Sequence, residues 1–359
     1  MKVLIVLNHP AHYFIFKYTV INLHKFNIQT QYLIREKDIL ENLLQSEGVE
    51  YIKICTKRER KVTAFSVISK GAIEFVKQEF NLLRFVVKWK PDLMIGTDIA
   101  ITHVGRLLLI PSFVFNEDDY EINKLYCKSS YPFATKIISP DICSVGPFLF
   151  KKISYNGIQK MAYTHPKYFN PDFSKISEYI EGYDRYFIIR LVSLTSGHDI
   201  EGKHSGLNED LIDKIIKKLE PLGKIIINSE GVVNSKYEKY ILKIDVNKMH
   251  HLLAYADIFI GDSQTMCTEA GLLGTPFIRF NDFVGKIAVL NEIEQKYKLG
   301  YGVKTSNPQQ LIECIDEILT IPGFKTVWKE RKVKIFNEKI DVTQWYTDYI
   351  INFLSRRQV

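Results

Sequence analysis

The sequence has no hydrophobic run long enough to cross a bilayer, which takes about 20 mostly apolar residues. The longest candidate, residues 107–115, is too short and contains Pro111. The apolar stretch at the N-terminus stops at Asn8 and is too brief for a signal peptide. We therefore expect a cytoplasmic protein.

Paired cysteines and metal-ligand spacings are also missing from the 359 residues. The five cysteines are an odd number without a CxxC pair, which argues against a disulfide framework and against a zinc site. There is no DxD pattern and no His, Cys and carboxylate cluster with ligand spacing, so we expect neither a metal nor a cofactor. The 22 Phe and 20 Tyr supply enough apolar surface to exclude disorder as the main state.

Positive charge is concentrated in the first half of the chain. Residues 1–163 contain 22 Lys and Arg against 15 Asp and Glu, whereas residues 164–359 contain 26 of each. Within residues 51–90 there are ten basic and three acidic side chains. This block fits peripheral contact with an anionic surface at the inner face of the cell membrane, or with an anionic acceptor. The alternative is a buried helix with solvated lysines. No nucleic-acid-reading motif accompanies the charge, so we expect no nucleic-acid partner.

Short apolar runs alternate with longer helical patterns along the chain, which predicts βαβ units around parallel sheets. The last strand of the first half is predicted at residues 136–139, and Gly and Pro then interrupt the pattern up to residue 184. Ligands of doubly wound sheets bind at the carboxyl ends of the strands. We predict an N-terminal Rossmann-like domain over 1–163, a linker over 164–184, a C-terminal Rossmann-like domain over 185–340, and a helix over 341–359 that packs back on the first domain.

The most informative segment is residues 256–280, ADIFIGDSQTMCTEAGLLGTPFIRF, in which a strand leads through a tight turn into a helix. Backbone N–H groups and the helix dipole make a helix N-terminus an anion site. Glu269 lies four residues after Thr265 and three after Met266, hence on the same helix face, where a carboxylate can accept from a ribose diol. The alternative is an ordinary capped helix that Gly274 ends.

Five strings carry a resemblance that covers essentially the whole chain in order: NHPAHYFIFK, FNEDDYE, KYFNPD, NSEG and GDSQTMCTEAGLLGTP. Together they resemble a prokaryotic, GT-B-like family of unknown function. The last string is similar to the nucleotide-sugar signature of GT-B glycosyltransferases, of the peptidoglycan N-acetylglucosaminyltransferase type, and of UDP-GlcNAc 2-epimerases. The resemblance implies an α/β protein of the GT-B fold, with two Rossmann-like, doubly wound parallel-sheet domains facing across a cleft.

The resemblance also implies roles for individual residues. Glu269 would bind ribose, and the N-terminal loop NHPAH would supply a histidine to the catalytic site. His12 matches that histidine best and His9 is a weaker rival. An imidazole with a pKa of about 6.5 can take a proton from an acceptor hydroxyl. The alternative for His12 is a helix N-cap. The pyrophosphate turn would be formed by four residues: Ser263, Gln264, Thr265 and Met266.

Carboxylates after two further strands resemble the catalytic acids of the epimerases. Asp98 matches one of them, while the second position aligns with Asn116, Glu117 or Asp118, of which we take Glu117 as the candidate. An alternative for the acidic residues at 118, 119 and 121 is a solvated helix start. The Arg-containing loop of the epimerases is replaced by NHPAH, and this difference argues against 2-epimerisation.

Several loop residues of the second half are further binding candidates. Arg190 and Ser193 follow the first strand there and can bind phosphate or sugar hydroxyls. Ser229 and Glu230, in the string NSEG, can contact a nucleobase edge, although loop hydroxyls are more often turn formers. Of the adjacent histidines at 250 and 251, we expect at least one to serve packing.

These observations favour a metal-independent glycosyltransferase that uses an NDP-sugar, with UDP as the expected nucleotide. The acceptor would be a glycan or a lipid-linked glycan in surface polysaccharide biosynthesis. One alternative is a UDP-sugar 2-epimerase or hydrolase. Another is a protein that binds a nucleotide-sugar without catalysis.

Overall fold

A computed structural model describes residues 1–35, 38–55, 64–191, 206–229, 231 and 233–357. The chain divides into two compact units. The first unit comprises Met1–Tyr163 together with Ile340–Val359, and the second comprises Thr164–Lys339. Among the described residues, no helix is both long enough and apolar enough to cross a bilayer.

The first unit is built on a parallel sheet of seven described strands. One of its interior strands reads KVLIVL, and the side chains from Val3 to Leu7 are fully buried, as expected where helices cover both faces of a parallel sheet. The strands are β1 (Lys2–Leu7), β2 (Gln29–Arg35), β3 (Tyr51–Cys55), β4 (Leu93–Gly96), β5 (Ser112–Phe115), β6 (Lys136–Pro140) and β7 (Lys152–Tyr155). Their spatial order is β3-β2-β1-β4-β5-β6-β7, so the direction of winding reverses between β1 and β4.

Helices connect these strands, and a 3₁₀ turn, Gly146–Lys151, precedes β7. The helices are α1 (Pro10–Lys25), α2 (Asp38–Ser46), α3 (Ala64–Trp89), α4 (Ile99–Leu108), α5 (Lys124–Ser130) and the short α6 (Met161–Thr164). The strand predicted at 136–139 is not the last of this sheet, because β7 extends it in parallel beside β6. This edge strand, KISY, is short, and Tyr155 is its one buried side chain, so it lacks a hydrophobic pattern.

The second unit contains a parallel sheet of five described strands. They are β8 (Tyr186–Leu191), β9 (Lys224–Ser229), β10 (Ile258–Gly261), β11 (Phe277–Phe280) and β12 (Gly300–Val303). The order β12-β11-β10-β8-β9 places the reversal of winding between β8 and β10. Two parallel, doubly wound α/β units confirm the predicted fold class.

The second unit contains both amphipathic helices and one that is buried along most of its length. The first of them starts at an Asn208 cap, carries acids in its first turn and lysines in its last, and buries Leu211 and Ile215 on one face. The helices are α7 (Glu209–Leu219), α8 (Val246–Tyr255), α9 (Gln264–Leu273), α10 (Ala288–Asn291), α11 (Pro308–Thr320) and α12 (Phe324–Glu338). The 3₁₀ turns are Phe173–Lys175, Ser177–Ile180, Glu220–Leu222 and Ser235–Tyr240, and Glu292–Lys296 forms a π turn.

Residues 164–184, predicted as a linker, form the start of the second unit. The backbone N–H of Asp172 donates to Nδ1 of His251 over 2.9 Å, and the ring of Phe173 meets Tyr255 edge-on at 5.3 Å. Both partners lie on α8, so these contacts fasten the segment to that helix.

The terminal helix α13 (Val342–Ser355) lies in the first unit and packs on α1. The Tyr346 hydroxyl donates to the Tyr155 hydroxyl over 2.7 Å, and Thr343 donates to the carbonyl of Ala162 over 2.6 Å. All three aromatic and hydroxyl groups are buried, so the helix closes the core beside β7.

A glycine ends one central strand in each sheet, at the point where the winding reverses. A Cβ on Gly96 would lie 2.6 Å from the carbonyl oxygen of Val6 on the neighbouring β1. A Cβ on Gly261 would lie 2.9 Å from Cβ of Arg190 on the neighbouring β8. Only glycine therefore lets the paired strands keep this spacing where their carboxyl ends meet.

We expect Gly96→Ala to lower the stability of the first unit by about 1–3 kcal/mol, because the added methyl group overpacks backbone that cannot move away. Gly48→Ala is the matched control: its φ is +66°, and nothing lies within 4 Å of the added Cβ. The control should show only the conformational cost of about 1 kcal/mol. Thermal unfolding of both variants tests this; an equal loss would contradict the close approach of β1 and β4.

Candidate functional site

Polar side chains meet at the carboxyl ends of β1 and β4, where the first sheet reverses its winding. Asn8 follows β1 directly, and Thr97 and Asp98 follow β4. The amide of Asn8 donates to Oδ2 of Asp98, which joins the two strand ends. This is the edge at which doubly wound sheets bind their ligands.

Asp98 is buried, with 2% of its surface exposed, and caps α4. Its Oδ1 accepts from the backbone N–H of Ala100 over 2.6 Å. Its Oδ2 accepts from Gln78 on α3 over 3.0 Å and faces Arg35 at 3.3 Å. Donors from β2, from α3, from the loop after β1 and from the start of α4 thus surround one carboxylate. These contacts hold this part of the site in a fixed arrangement.

The two candidate histidines have different positions. His9 caps α1, because its Nδ1 accepts from the N–H of Ala11 over 3.2 Å. His12 lies one turn further on, partly exposed, with its ring nitrogens 2.9 and 3.1 Å from Oγ1 of Thr97. The hydroxyl of Tyr126 donates to the Thr97 carbonyl over 2.8 Å. His12 is therefore not an N-cap, and it lies at the same strand ends as Asp98.

The three positions considered for the second acid differ in their surroundings. Glu117 is buried, accepts from the backbone N–H of Gln159 over 2.9 Å and forms an ion pair with Lys160. The side chain of Asn116 accepts from the N–H of residue 118 over 3.2 Å and donates to Tyr131 over 2.8 Å. Both side chains are thus engaged by neighbours in the fold.

Asp118 has a raised pKa. Burial is the main cause, the negative charge of Asp119 adds to it, and a hydrogen bond with Asn123 opposes it. Burial is the main cause of the raised pKa of Tyr126, and the negative charges of Asp98 and Asp118 add to it. A carboxyl that keeps its proton to higher pH can serve in acid–base chemistry.

In the second unit, α9 begins directly after β10, at the reversal of the sheet. Ser263 caps this helix, and its Oγ accepts from the N–H of Met266 over 3.4 Å. The four residues predicted to form the pyrophosphate turn are partly exposed, whereas the helix from Cys267 to Leu273 is buried. The first turn of α9 is therefore the accessible part of a buried helix: Ser263, Gln264, Thr265 and Met266.

Glu269, predicted to bind ribose, is buried with 5% of its surface exposed. Nε2 of His250 on α8 lies 3.2 Å from its Oε1. The adjacent His251 has a packing role: its ring meets Phe169 at 4.8 Å, and its Nδ1 accepts from the Asp172 N–H. No motif or spacing in the sequence joins His250 to Glu269, because the pair connects two helices.

The other predicted binding residues are placed in part. Arg190 on β8 pairs in register with Gly261 on β10, and its side chain donates to the side chain of Asn228 on β9. Ser229 forms a turn, since its Oγ accepts from the N–H of Gly231 over 3.1 Å. Ser193 and Glu230 lie outside the described residues. Arg190 therefore reaches the same strand ends as the start of α9.

Two expectations concern groups outside these clusters. Within the described ranges, no group of three or more His, Cys, Asp or Glu residues is placed to hold a metal ion. Part of the basic block, residues 56–63, lies outside those ranges. On α3, Val76, Phe80 and Val87 are exposed, and membrane contact through residues 51–90 stays a prediction.

Residues 2–286 match the model of a family described as a protein of unknown function, DUF354. The chain belongs to this family. Among curated proteins, none matches it in sequence. The expected relation to a GT-B-like family of unknown function is confirmed by this match together with the solved structures that the DUF354 chain resembles.

These structures include UDP-GlcNAc 2-epimerases and glycosyltransferases. The UDP-GlcNAc 2-epimerase of Neisseria meningitidis, bound to UDP-GlcNAc, matches with a TM-score of 0.67 and 13% identity over 99% of this chain and 100% of that one. The spinosyn forosaminyltransferase SpnP matches with a TM-score of 0.64 and 13% identity over 99% of each chain. The glycosyltransferase VinC in complex with dTDP matches with a TM-score of 0.60 and 11% identity over 99% of this chain and 100% of that one. At these identities the likeness establishes the GT-B fold.

The raised pKa of Asp118 predicts a pH-dependent gain in stability for Asp118→Asn. A raised folded pKa adds stability below the unfolded pKa, and this contribution is lost as the pH rises through the folded pKa. At pH 7 the native carboxylate therefore carries a burial cost that Asn lacks, so the variant should melt at a higher temperature. The gain should shrink as the pH falls through about 4 and vanish near about pH 3, where Asp is largely protonated in both states.

Asp348→Asn, at an exposed acid of α13, is the matched control and should show no such pH dependence. Thermal unfolding between pH 3 and 8 measures both. If Asp118→Asn brings the same change at all pH values, the carboxyl does not have a raised pKa.

Proposed function

We propose that this DUF354 chain is a nucleotide-sugar-dependent glycosyltransferase. It would transfer a sugar from an NDP-sugar, with UDP as the favoured nucleotide, to a glycan or lipid-linked acceptor in surface polysaccharide biosynthesis. The observation that carries the proposal is the accessible first turn of α9, placed at the reversal of the second sheet, with Glu269 on the same helix face. GT-B enzymes of both kinds among the similar structures support it.

The donor would be held by its diphosphate. The first N–H groups of a helix lack partners within the helix, and its dipole favours negative charge. Ser263 and Thr265 would add hydroxyl donors, and Arg190 at the end of β8 would add positive charge. The same groups would stabilise the nucleoside diphosphate as it leaves, without a metal ion. One similar structure was solved with UDP, that of S. aureus MnaA, and VinC with dTDP.

The first unit would supply the acceptor side. His12 would take the proton of an acceptor hydroxyl while that oxygen bonds to the anomeric carbon and the bond from this carbon to the diphosphate oxygen breaks. Thr97 touches the imidazole and would orient it. Asp98, surrounded by donors, would keep Asn8 and the start of α4 in place beside it. The net positive charge of residues 1–163 suits an anionic acceptor.

A second candidate is a UDP-sugar 2-epimerase or hydrolase, which Asp118 favours. Its carboxyl has a raised pKa, and it follows β5, the strand that pairs with β4 next to Asp98. Two acids with different surroundings can divide proton removal and delivery at one carbon. Incubation with UDP-sugars and no acceptor separates the candidates: a C2 epimer or free sugar as the main product favours this second function.

The donor site predicts which molecules stabilise the protein. A panel of UDP-, GDP-, CMP- and dTDP-sugars should contain at least one that raises the melting temperature. At a ligand concentration of 100 times its Kd, binding adds about 2.7 kcal/mol to the free energy of unfolding. Thr265→Glu should abolish this shift, because a carboxylate repels the phosphates while it suits a helix N-terminus. Thr320→Glu, at an exposed position that ends α11, is the control and should keep the shift. No shift with any nucleotide would contradict the proposal.

The proton acceptor is tested by His12→Asn in an assay with donor and acceptor. We expect kcat to fall about 10²–10⁴-fold, because proton transfer contributes on that order, while donor Kd stays unchanged. His24→Asn, in the last turn of the same helix, is the control and should retain activity. A His12→Asn variant with native kcat would show that His12 is not the proton acceptor. If native protein and variant both bind the donor but neither transfers the sugar, the protein is better described as a non-catalytic nucleotide-sugar-binding protein.

A further inference from the structure

The candidate ribose carboxylate belongs to a buried pair. Nε2 of His250 lies 3.2 Å from Oε1 of Glu269, close enough for an N–H to donate. Only 8% and 6% of the two side chains are exposed. A buried carboxylate is costly unless a donor or a positive charge compensates it, so the contact with His250 helps to hold Glu269 in its orientation.

The histidine ring is itself held in place by its surroundings. Phe169 meets it with its edge, at 5.9 Å between ring centres and 75° between planes. The same phenylalanine packs against His251, and Nδ1 of His251 accepts a hydrogen bond from the Asp172 N–H. His250 also lies within the buried part of α8. Its imidazole is therefore a rigid support for whatever it contacts.

The position of Glu269 on α9 connects this support to the donor site. Thr265 and Met266, four and three residues earlier, lie on the same helix face and are partly exposed. A carboxylate has about four lone-pair positions, so a contact with His250 leaves the group able to accept from a diol as well. The second oxygen is carried along when the first one is fixed, because the carboxylate is planar.

We propose that His250 is a positioning residue that aims Glu269 at the 2′- and 3′-hydroxyls of a ribose. The site would therefore select ribonucleoside diphosphates over their 2′-deoxy counterparts. This inference rests on the proposed donor site and defines the class of nucleotide that the site takes. A deoxyribose lacks one of the two hydroxyls that Glu269 would accept from, and sites built to bond a hydroxyl reject ligands that lack it.

The test is the ratio of two dissociation constants measured by calorimetry. UDP and 2′-deoxy-UDP are the first probes, and GDP with 2′-deoxy-GDP and CDP with 2′-deoxy-CDP follow in the same way. For native protein we expect the ribonucleotide to bind at least about tenfold more tightly, as a charge-assisted hydrogen bond implies. Unfolded protein weakens both members of a pair by the same factor, so the ratio reports the site even in a destabilised variant.

Three variants complete the design. His250→Leu removes the support and should bring the ratio close to one, while the deoxynucleotide keeps most of its affinity. His250→Gln retains an N–H donor and should restore part of the ratio. His251→Gln, at the neighbouring packing histidine, should keep the native ratio. A merely structural role for His250 would lower melting temperatures without changing the ratio.

The outcomes separate this inference from the proposed function. A native preference for ribose that disappears in His250→Leu supports it. Native binding without preference for ribose, or an unchanged ratio in His250→Leu, overturns the inference and leaves the nucleotide site intact. If none of the six nucleotides binds and no sugar nucleotide of the panel raises the melting temperature, the proposed function fails, and the role of His250 fails with it. If only a dTDP-sugar raises it, the inference fails and the nucleotide site remains.

Discussion

The close approach of two central strands in each sheet is the constraint on which the candidate sites depend. Gly96 permits it between β4 and β1, and Gly261 permits it between β10 and β8. At both places the winding reverses, so the loops that follow the two strands diverge and leave their polar ends accessible. A side chain at either glycine would separate the strands that position Asp98 in one unit and Ser263 in the other.

Each candidate site also depends on a buried carboxylate whose partners come from other elements. Asp98 joins the ends of β1 and β4 with donors from β2 and α3, and Glu269 is paired across two helices with His250. Such groups cost free energy when they are left unpaired, so their partners are as necessary as the acids themselves. This explains why rigid side chains lie directly behind the accessible residues that would meet a substrate.

The sequence predicted the features that local pattern determines. The alternation of apolar runs predicted two doubly wound units, and the segment 256–280 predicted a strand that leads into α9. It did not predict β7, whose four residues at a sheet edge lack a hydrophobic pattern. It also missed Gln78, Arg35 and His250, because no motif or spacing connects residues that meet only after the chain has folded.

The central claim is that a nucleoside diphosphate binds to the first turn of α9. The most direct measurement is a crystal structure of the protein with the nucleoside diphosphate that binds it most tightly. We expect phosphate oxygens within hydrogen-bond distance of backbone N–H groups between Ser263 and Met266, with a ribose hydroxyl on Glu269. Phosphates bound elsewhere on the chain, with this turn unchanged and empty, would contradict it.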